Sequence, residues 1–215
     1  FKEDDLNRKK SAKIIQDMFI DKPQHFVENS MNIDHKYALF TILVNNKRIL
    51  NIMDKKQAFE RVVYEKNYKL LKEQKRACQK LIHPYNITIN PLDIELLKEN
   101  LNIIESLGYQ IDEIKNNQIF INGIPEGIEG QNSQELFEFF LEELKNKNDD
   151  ILDKIINKIA TQSACYASKN NNKFHLTEEN DLKRFINILL NCKMPFMGIH
   201  GKPCVINIEP NIFFN

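Results

Sequence analysis

Two runs of strand-forming residues, Tyr37–Val44 and Arg48–Met53, are separated only by Asn45-Asn46-Lys47. A gap so short, filled with turn formers, predicts a β-hairpin. Asp54 follows at once in the place of a helix N-cap, and a helical stretch runs on to about Lys75. Beyond it, Tyr85–Ile89 alternates as a strand, and Asn90-Pro91 sets proline just inside the next helix. In that helix Leu92, Leu96, Leu97, Leu101, Ile104 and Leu107 recur on one face, and Gly108 stands at its C-terminal stop. Gln110–Ile114 and Gln118–Gly123 read as paired strands around Lys115-Asn116-Asn117, and Pro125–Asn132 is a glycine-bearing loop. Helices are predicted at Gln134–Leu144, Ile151–Ser168 and Thr177–Cys192, with a last strand at Cys204–Ile208. Strands and helices alternate without a regular βαβ rhythm, which predicts an α+β fold rather than a doubly wound parallel sheet.

At 215 residues and 42% apolar, the chain can close one ordinary core or two small subdomains. Phe1 to about Ser30 carries mixed charge and little periodicity, and reads as the end of a linker with one short helix at Ala12–Phe19. A start at Phe1 rather than Met reads as a piece of a longer polypeptide. Thirty basic residues balance thirty acidic ones, so long-range attraction to nucleic acid is weak and any DNA contact is local or supplied by another domain. No run approaches the roughly 20 apolar residues of a membrane span. Cys78, Cys165, Cys192 and Cys204 form no Cys-x-x-Cys pair, which fits a reducing, intracellular compartment.

Three segments carry residues capable of chemistry. Asp54, Glu60 and Glu65 lie six and five positions apart on the helix after the hairpin, and Arg61 and Glu65 form an i,i+4 pair. By themselves they describe a solvated helix with a cap and an ion pair, although a carboxylate on a rigid helix also suits a hard or borderline cation. His200 sits in a turn made by Gly198, Gly201 and Pro203, where a structural hydrogen bond is the plain reading. Gln79-Lys80-Leu81-Ile82-His83-Pro84 is either a strand leading into Tyr85–Ile89 or an extended docking segment, with a glutamine anchor and aliphatics for a shallow apolar pocket.

Read together, these segments resemble the C-terminal domain of MutL-family DNA mismatch-repair proteins. Asp54–Glu65 is similar to the family pattern Asp-Gln-His-Ala-x-x-Glu-x-x-x-x-Glu, and Gly198–Pro203 to Cys-Pro-His-Gly-Arg-Pro. Ala164-Cys165-Tyr166 is similar to the Ala-Cys-His or Ala-Cys-Arg motif, and Gln79–Pro84 to the sliding-clamp-binding sequence. Asn90–Glu99, Ile104–Ile111, Phe120–Pro125, Leu176–Glu179 and Cys192–Phe196 resemble further family segments, in order, so the likeness covers about Ile33 to Ile208. The resemblance implies a two-lobed domain. Residues 1–30 would end a linker, 31–87 and 160–215 form a dimerisation subdomain, and 88–159 form an external subdomain inserted in it.

The resemblance also implies roles for single residues: Glu60, Cys165 and His200 as ligands of Zn or Mn, Asp54 and Glu60 as catalytic residues if the site is active, and Gln79, Leu81, Ile82 and Pro84 in clamp binding. Lys56 stands where the family has a histidine, Gly198 where it has a cysteine, and Tyr166 where it has a basic residue. Neither a protonated lysine nor a glycine donates to a metal, so any ion is expected to be weakly held or absent. The expected function is therefore dimerisation, with itself or a MutL paralogue, plus docking to a sliding clamp. Contacts with DNA, with a MutS-type mismatch-recognition protein and with ATP would come through the full-length chain. Localisation follows as nucleus for a eukaryotic source and cytoplasm for a bacterial one, with no membrane. An active metal-dependent endonuclease is the alternative, with Ile212-Phe213-Phe214-Asn215 open to a role in a partner's site. An unrelated α+β interaction domain, which would neither dimerise nor bind a clamp, is the third reading.

Overall fold

The computed structural model describes residues 27–44, 47–73, 78–125, 133–146, 150–170 and 179–208. The short helix expected at Ala12–Phe19, the Asn45-Asn46 turn, the start of a helix at Thr177 and the Ile212–Asn215 tail lie outside them. By compactness the chain divides into two units, Phe1–Glu65 with Ala167–Asn215, and Lys66–Tyr166. Among the described residues, no helix is long and apolar enough to cross a membrane.

The first unit holds β1 (Val27–Asn32), β2 (Tyr37–Val44) and β3 (Lys47–Asp54), which runs directly into α1 (Lys55–Lys72). With β7 (Val205–Ile208) they form a four-stranded sheet in the order β1-β2-β3-β7, each neighbouring pair antiparallel. The predicted hairpin is present, with Val44 opposite Lys47. Asp54 caps α1 as expected, its Oδ1 accepting from the backbone N–H of Gln57 at 3.0 Å. Alternation along β2 sends Ala38, Phe40 and Ile42 inward, opposite Met53, Asn51 and Ile49 of β3. Helix α6 (Glu179–Leu190) packs on β1 and contributes Leu182, Phe185, Ile186 and Leu189, all fully buried.

Strand β1 corrects the reading of residues 1–30 as linker, because the sheet begins at Val27. Its Glu28, Asn29, Ser30 and Asn32 carry no apolar alternation, and a register irregularity between Val27 and Asn29 disturbs the period. An edge strand of this kind is held by its ladder to β2 rather than by a hydrophobic pattern.

The second unit contains the antiparallel sheet β4-β6-β5, from β4 (Cys78–Thr88), β5 (Gln110–Lys115) and β6 (Gln118–Pro125). The β5–β6 connection is a two-residue turn in which Asn116 and Asn117 take φ of 50° and 63°. Asparagine tolerates this left-handed region better than other side chains, so the Asn-Asn pair suits a type I′ hairpin. The single helix expected from Pro91 is instead a 3₁₀ turn (Pro91–Asp93) followed by α2 (Ile94–Glu99) and α3 (Leu101–Ser106). At the break, the Asn100 side chain donates to the Leu96 carbonyl at 2.8 Å while its backbone N–H bonds Leu97 O, so the regular ladder is interrupted. Gly108, at φ 92°, stops the run as predicted. Helices α4 (Ser133–Lys145) and α5 (Ile151–Asn170) complete the elements, and Tyr109 meets Phe137 edge-on with centroids 5.6 Å apart. The unit's core gathers Leu97, Ile104, Ile119, Ile121, Phe140 and Ile159.

Phe40 is 1% exposed at the centre of the first sheet. Phe40→Ala is expected to cost about 3–5 kcal/mol through lost burial and a residual cavity, read as a lower midpoint in urea unfolding.

Candidate functional site

The face of the first sheet opposite its core carries a continuous apolar row. Met31 pairs with Leu39, Leu39 with Ile52, and Ile52 with Ile206, so the four side chains project from one surface across all four strands. Met31 is 60% and Ile206 55% exposed, and Leu39 and Ile52 between them are half-buried. The next row, Thr41, Leu50 and Ile208, is half-buried as well. Charge near this surface is satisfied within the chain, since Arg48 Nε donates to Glu28 Oε2 at 2.7 Å. Sheets normally solvate such a face with polar residues, and an apolar one marks an interaction surface.

A second constellation joins α1 to the turn before β7. Arg61 is buried, its Nε donating to Met197 O at 2.6 Å and its Nη2 to Gly198 O at 3.0 Å. One turn later Glu65 accepts the backbone N–H groups of Lys193 at 2.6 Å and Met194 at 3.2 Å, with Arg61 Nη1 3.7 Å from its Oε1. The i,i+4 pair foreseen in the sequence is therefore a double clamp, cation on carbonyls and carboxylate on amides. Gly198 N–H donates to Lys202 O at 2.7 Å, Met197 bridges Pro203, and Cys204 O accepts from the Asp54 amide at 2.9 Å. Gly201 takes φ 76°, which favours glycine at that position.

Glu60 is buried at the same end of α1 and accepts the Ser168 hydroxyl at 2.6 Å. Lys56, one turn earlier, is exposed, and His200 is exposed in the turn. Cys165 belongs to the second unit, half-buried on α5. Cys192 and Cys204 near the clamp are held neutral, burial being the main cause, with the Cys204 thiol pushed up to about 11 and that of Cys192 higher still. Among the described residues, no group of three or more His, Cys, Asp or Glu side chains is arranged to hold a metal. Tested against a two-ion centre, the donor set falls short at two positions: position 198 has no side chain and position 56 carries an ammonium.

The third place is the Gln79–Pro84 segment. It is part of β4, and its ladder to β6 is regular from Cys78 to Lys80 and again from Tyr85, with the register broken between them. In that break Ile82 is 91% exposed, flanked by exposed His83 and Pro84 and half-buried Leu81. Gln79 pairs with Ile124 in the regular part. The sequence marks Tyr37–Val44 and Arg48–Met53 as interface or core without separating the two, and it does not show the role of Arg61. The row could have been found by pairing alternate residues of the predicted hairpin, whereas the bond of Arg61 to carbonyls 136 and 137 residues away leaves no local signal.

The chain matches the family model described as the MutL C terminal dimerisation domain over residues 37–174. It is similar to the DNA mismatch repair protein MutL of Endomicrobium trichonymphae, 30% identical over 190 residues, covering 88% of this chain and 31% of that protein. The DNA mismatch repair protein MutL of Thermodesulfovibrio yellowstonii is 31% identical over 180 residues, covering 81% of this chain and 32% of the relative. That of Kosmotoga olearia is 31% identical over 163 residues, covering 75% and 26%. The chain thus spans about a third or less of the length of these relatives.

Replacing Arg61 removes the charged donor from Met197 O and one of the two donors from Gly198 O, which keeps the Gly201 N–H at 3.2 Å. Arg61→Ala is expected to lower stability by about 1.5–3 kcal/mol, and Arg61→Lys to recover little of it, because an ammonium lacks the fork that spans two carbonyls. Urea unfolding of the two variants beside the wild type measures both.

Proposed function

The chain belongs to the MutL C-terminal dimerisation domain family, and on that premise we propose that it pairs with a second copy of itself through the open face of its four-stranded sheet, joining two longer mismatch-repair polypeptides. The observation that carries this reading is the uncharged row Met31, Leu39, Ile52 and Ile206. A two-fold interface uses the same patch on both partners, and a row without charge is complementary to itself with no opposite-sign partner required. The internal Arg48–Glu28 pair supports the same reading, since it leaves those charges no need of a partner. A MutL paralogue in place of the second copy is the other outcome the test separates.

Docking of a sliding clamp is a second task of the same domain, supported by the exposed Ile82 where the β4 ladder is interrupted. A segment out of register with its own sheet is free to present aliphatic side chains to a shallow apolar pocket. In this reading the metal site is degenerate. Zn or Mn would find at most Glu60, Cys165 and His200, and Asp54 serves as a helix cap. Contacts with DNA, with a mismatch-recognition protein and with ATP are assigned to the rest of the longer polypeptide, and any cutting to its partner.

In sedimentation, the wild type is expected to sediment as a dimer. Ile52→Glu, which buries an unpaired carboxylate in the interface, should weaken self-association by about 100-fold or more while keeping the wild-type circular dichroism. A monomer that pairs only with a paralogue would reassign the partner, and an Ile52→Glu protein that still dimerises would remove the sheet face from the interface. Separately, Ile82→Asp is expected to abolish binding to an immobilised sliding clamp without changing the oligomeric state.

A further inference from the structure

Lys55, the first residue of α1, is a lysine with only 6% of its surface exposed. Its ammonium donates to Asn32 Oδ1 at 2.9 Å and to Asp34 O at 2.6 Å, and its backbone N–H donates to Lys36 O at 2.9 Å. Both acceptors of the ammonium are neutral, so its burial is offset by hydrogen bonds to dipoles rather than by a bonded carboxylate. Burial lowers the pKa of the group, and the charge of Asp34 opposes the shift. Lysine is rarely buried unless its charge is held. What this one holds in return is one end of β1.

Asn32 is the last residue of β1, and Asp34 and Lys36 belong to the turn that leads into β2. The turn closes on itself through Asp34 Oδ1, which accepts the N–H of Lys36 at 2.7 Å and of Tyr37 at 2.6 Å, so it moves as a body. The strand before it is an edge strand, laddered to β2 on one side, with its register irregular between Val27 and Asn29. Of its two apolar residues, Val27 is buried at the far end, and Met31, beside Asn32, is 60% exposed. Met31 is therefore held by its backbone more than by its own packing. We propose that Lys55 is a positioning residue for pairing, docking the β1–β2 turn on the start of α1 and so fixing the Met31 end of the open row in line with Leu39 and Ile52. This role rests on the reading that two copies pair through that face, whereas the hold on β1 is independent of it. An edge strand that frays must be ordered on association, and that lost freedom subtracts from affinity.

Hydrogen exchange read by mass spectrometry on Lys55→Met, in the wild-type chain and in the Ile52→Glu chain, separates the hold from the pairing. Methionine keeps the length of the stem and removes the donors. In the Ile52→Glu chain, expected to be monomeric, Lys55→Met should speed exchange across residues 28–32 by about tenfold, the scale of one charge-assisted hydrogen bond, with rates in β3 and β6 unchanged. In the wild-type chain it should weaken self-association in sedimentation by about tenfold. Unchanged exchange in β1, or equal acceleration throughout the first unit, would overturn the hold. Faster exchange in β1 with self-association unchanged would overturn its part in pairing. An Ile52→Glu chain that still dimerises refutes the open face and leaves exchange in β1 to decide the hold. If Lys55→Met does not fold, Asn32→Ala removes the same bond from its other end and is read against the same outcomes.

Discussion

The first unit is governed by a mismatch between its sheet and its core. Strands β2 and β3 carry apolar residues on both sides, yet among the described residues one side alone is closed, by Ala38, Phe40, Met53 and the buried stripe of α6. The other side keeps Met31, Leu39, Ile52 and Ile206 in line. Burial of apolar area is the main favourable term in folding and association alike, so a surface of this kind represents stabilisation still available to a partner. The proposed self-pairing draws on the chemistry of the row rather than on any single contact.

The α1 end of the same unit serves a different purpose. Asp54 starts the helix, Arg61 and Glu65 hold the backbone of residues 193–198, and Glu60 is occupied by Ser168. Each of these carboxylates therefore has a structural duty. The same acidic residues that suggest a nuclease in the sequence act here as helix cap, tether and turn clamp.

Local patterns were legible in proportion to how much of each element is set by its own residues. The β2–β3 hairpin, the Asp54 cap, the Asn116-Asn117 turn and the Gly108 stop all follow from near neighbours, and all are present. Strand β1 was missed because its partner β2 supplies the order that Glu28, Asn29 and Asn32 lack. The break at Asn100 was missed because the leucine stripe continues through it while a side-chain amide interrupts the ladder. At the site, residue types were readable but commitments were not. The bond that Glu60 accepts from Ser168, 108 positions away, has no local signal.

The most direct measurement of the central claim is intermolecular disulfide formation at the sheet face, using Ile52→Cys in a chain whose exposed Cys78 is changed to serine. A residue near the centre of a two-fold interface meets its own copy, so mild oxidation should convert most of the chain to a covalent dimer, while a cysteine at exposed Lys56, on α1 and outside the row, should give none. Equal, slow cross-linking at both positions would contradict the account, because pairing would then not pass through the open face.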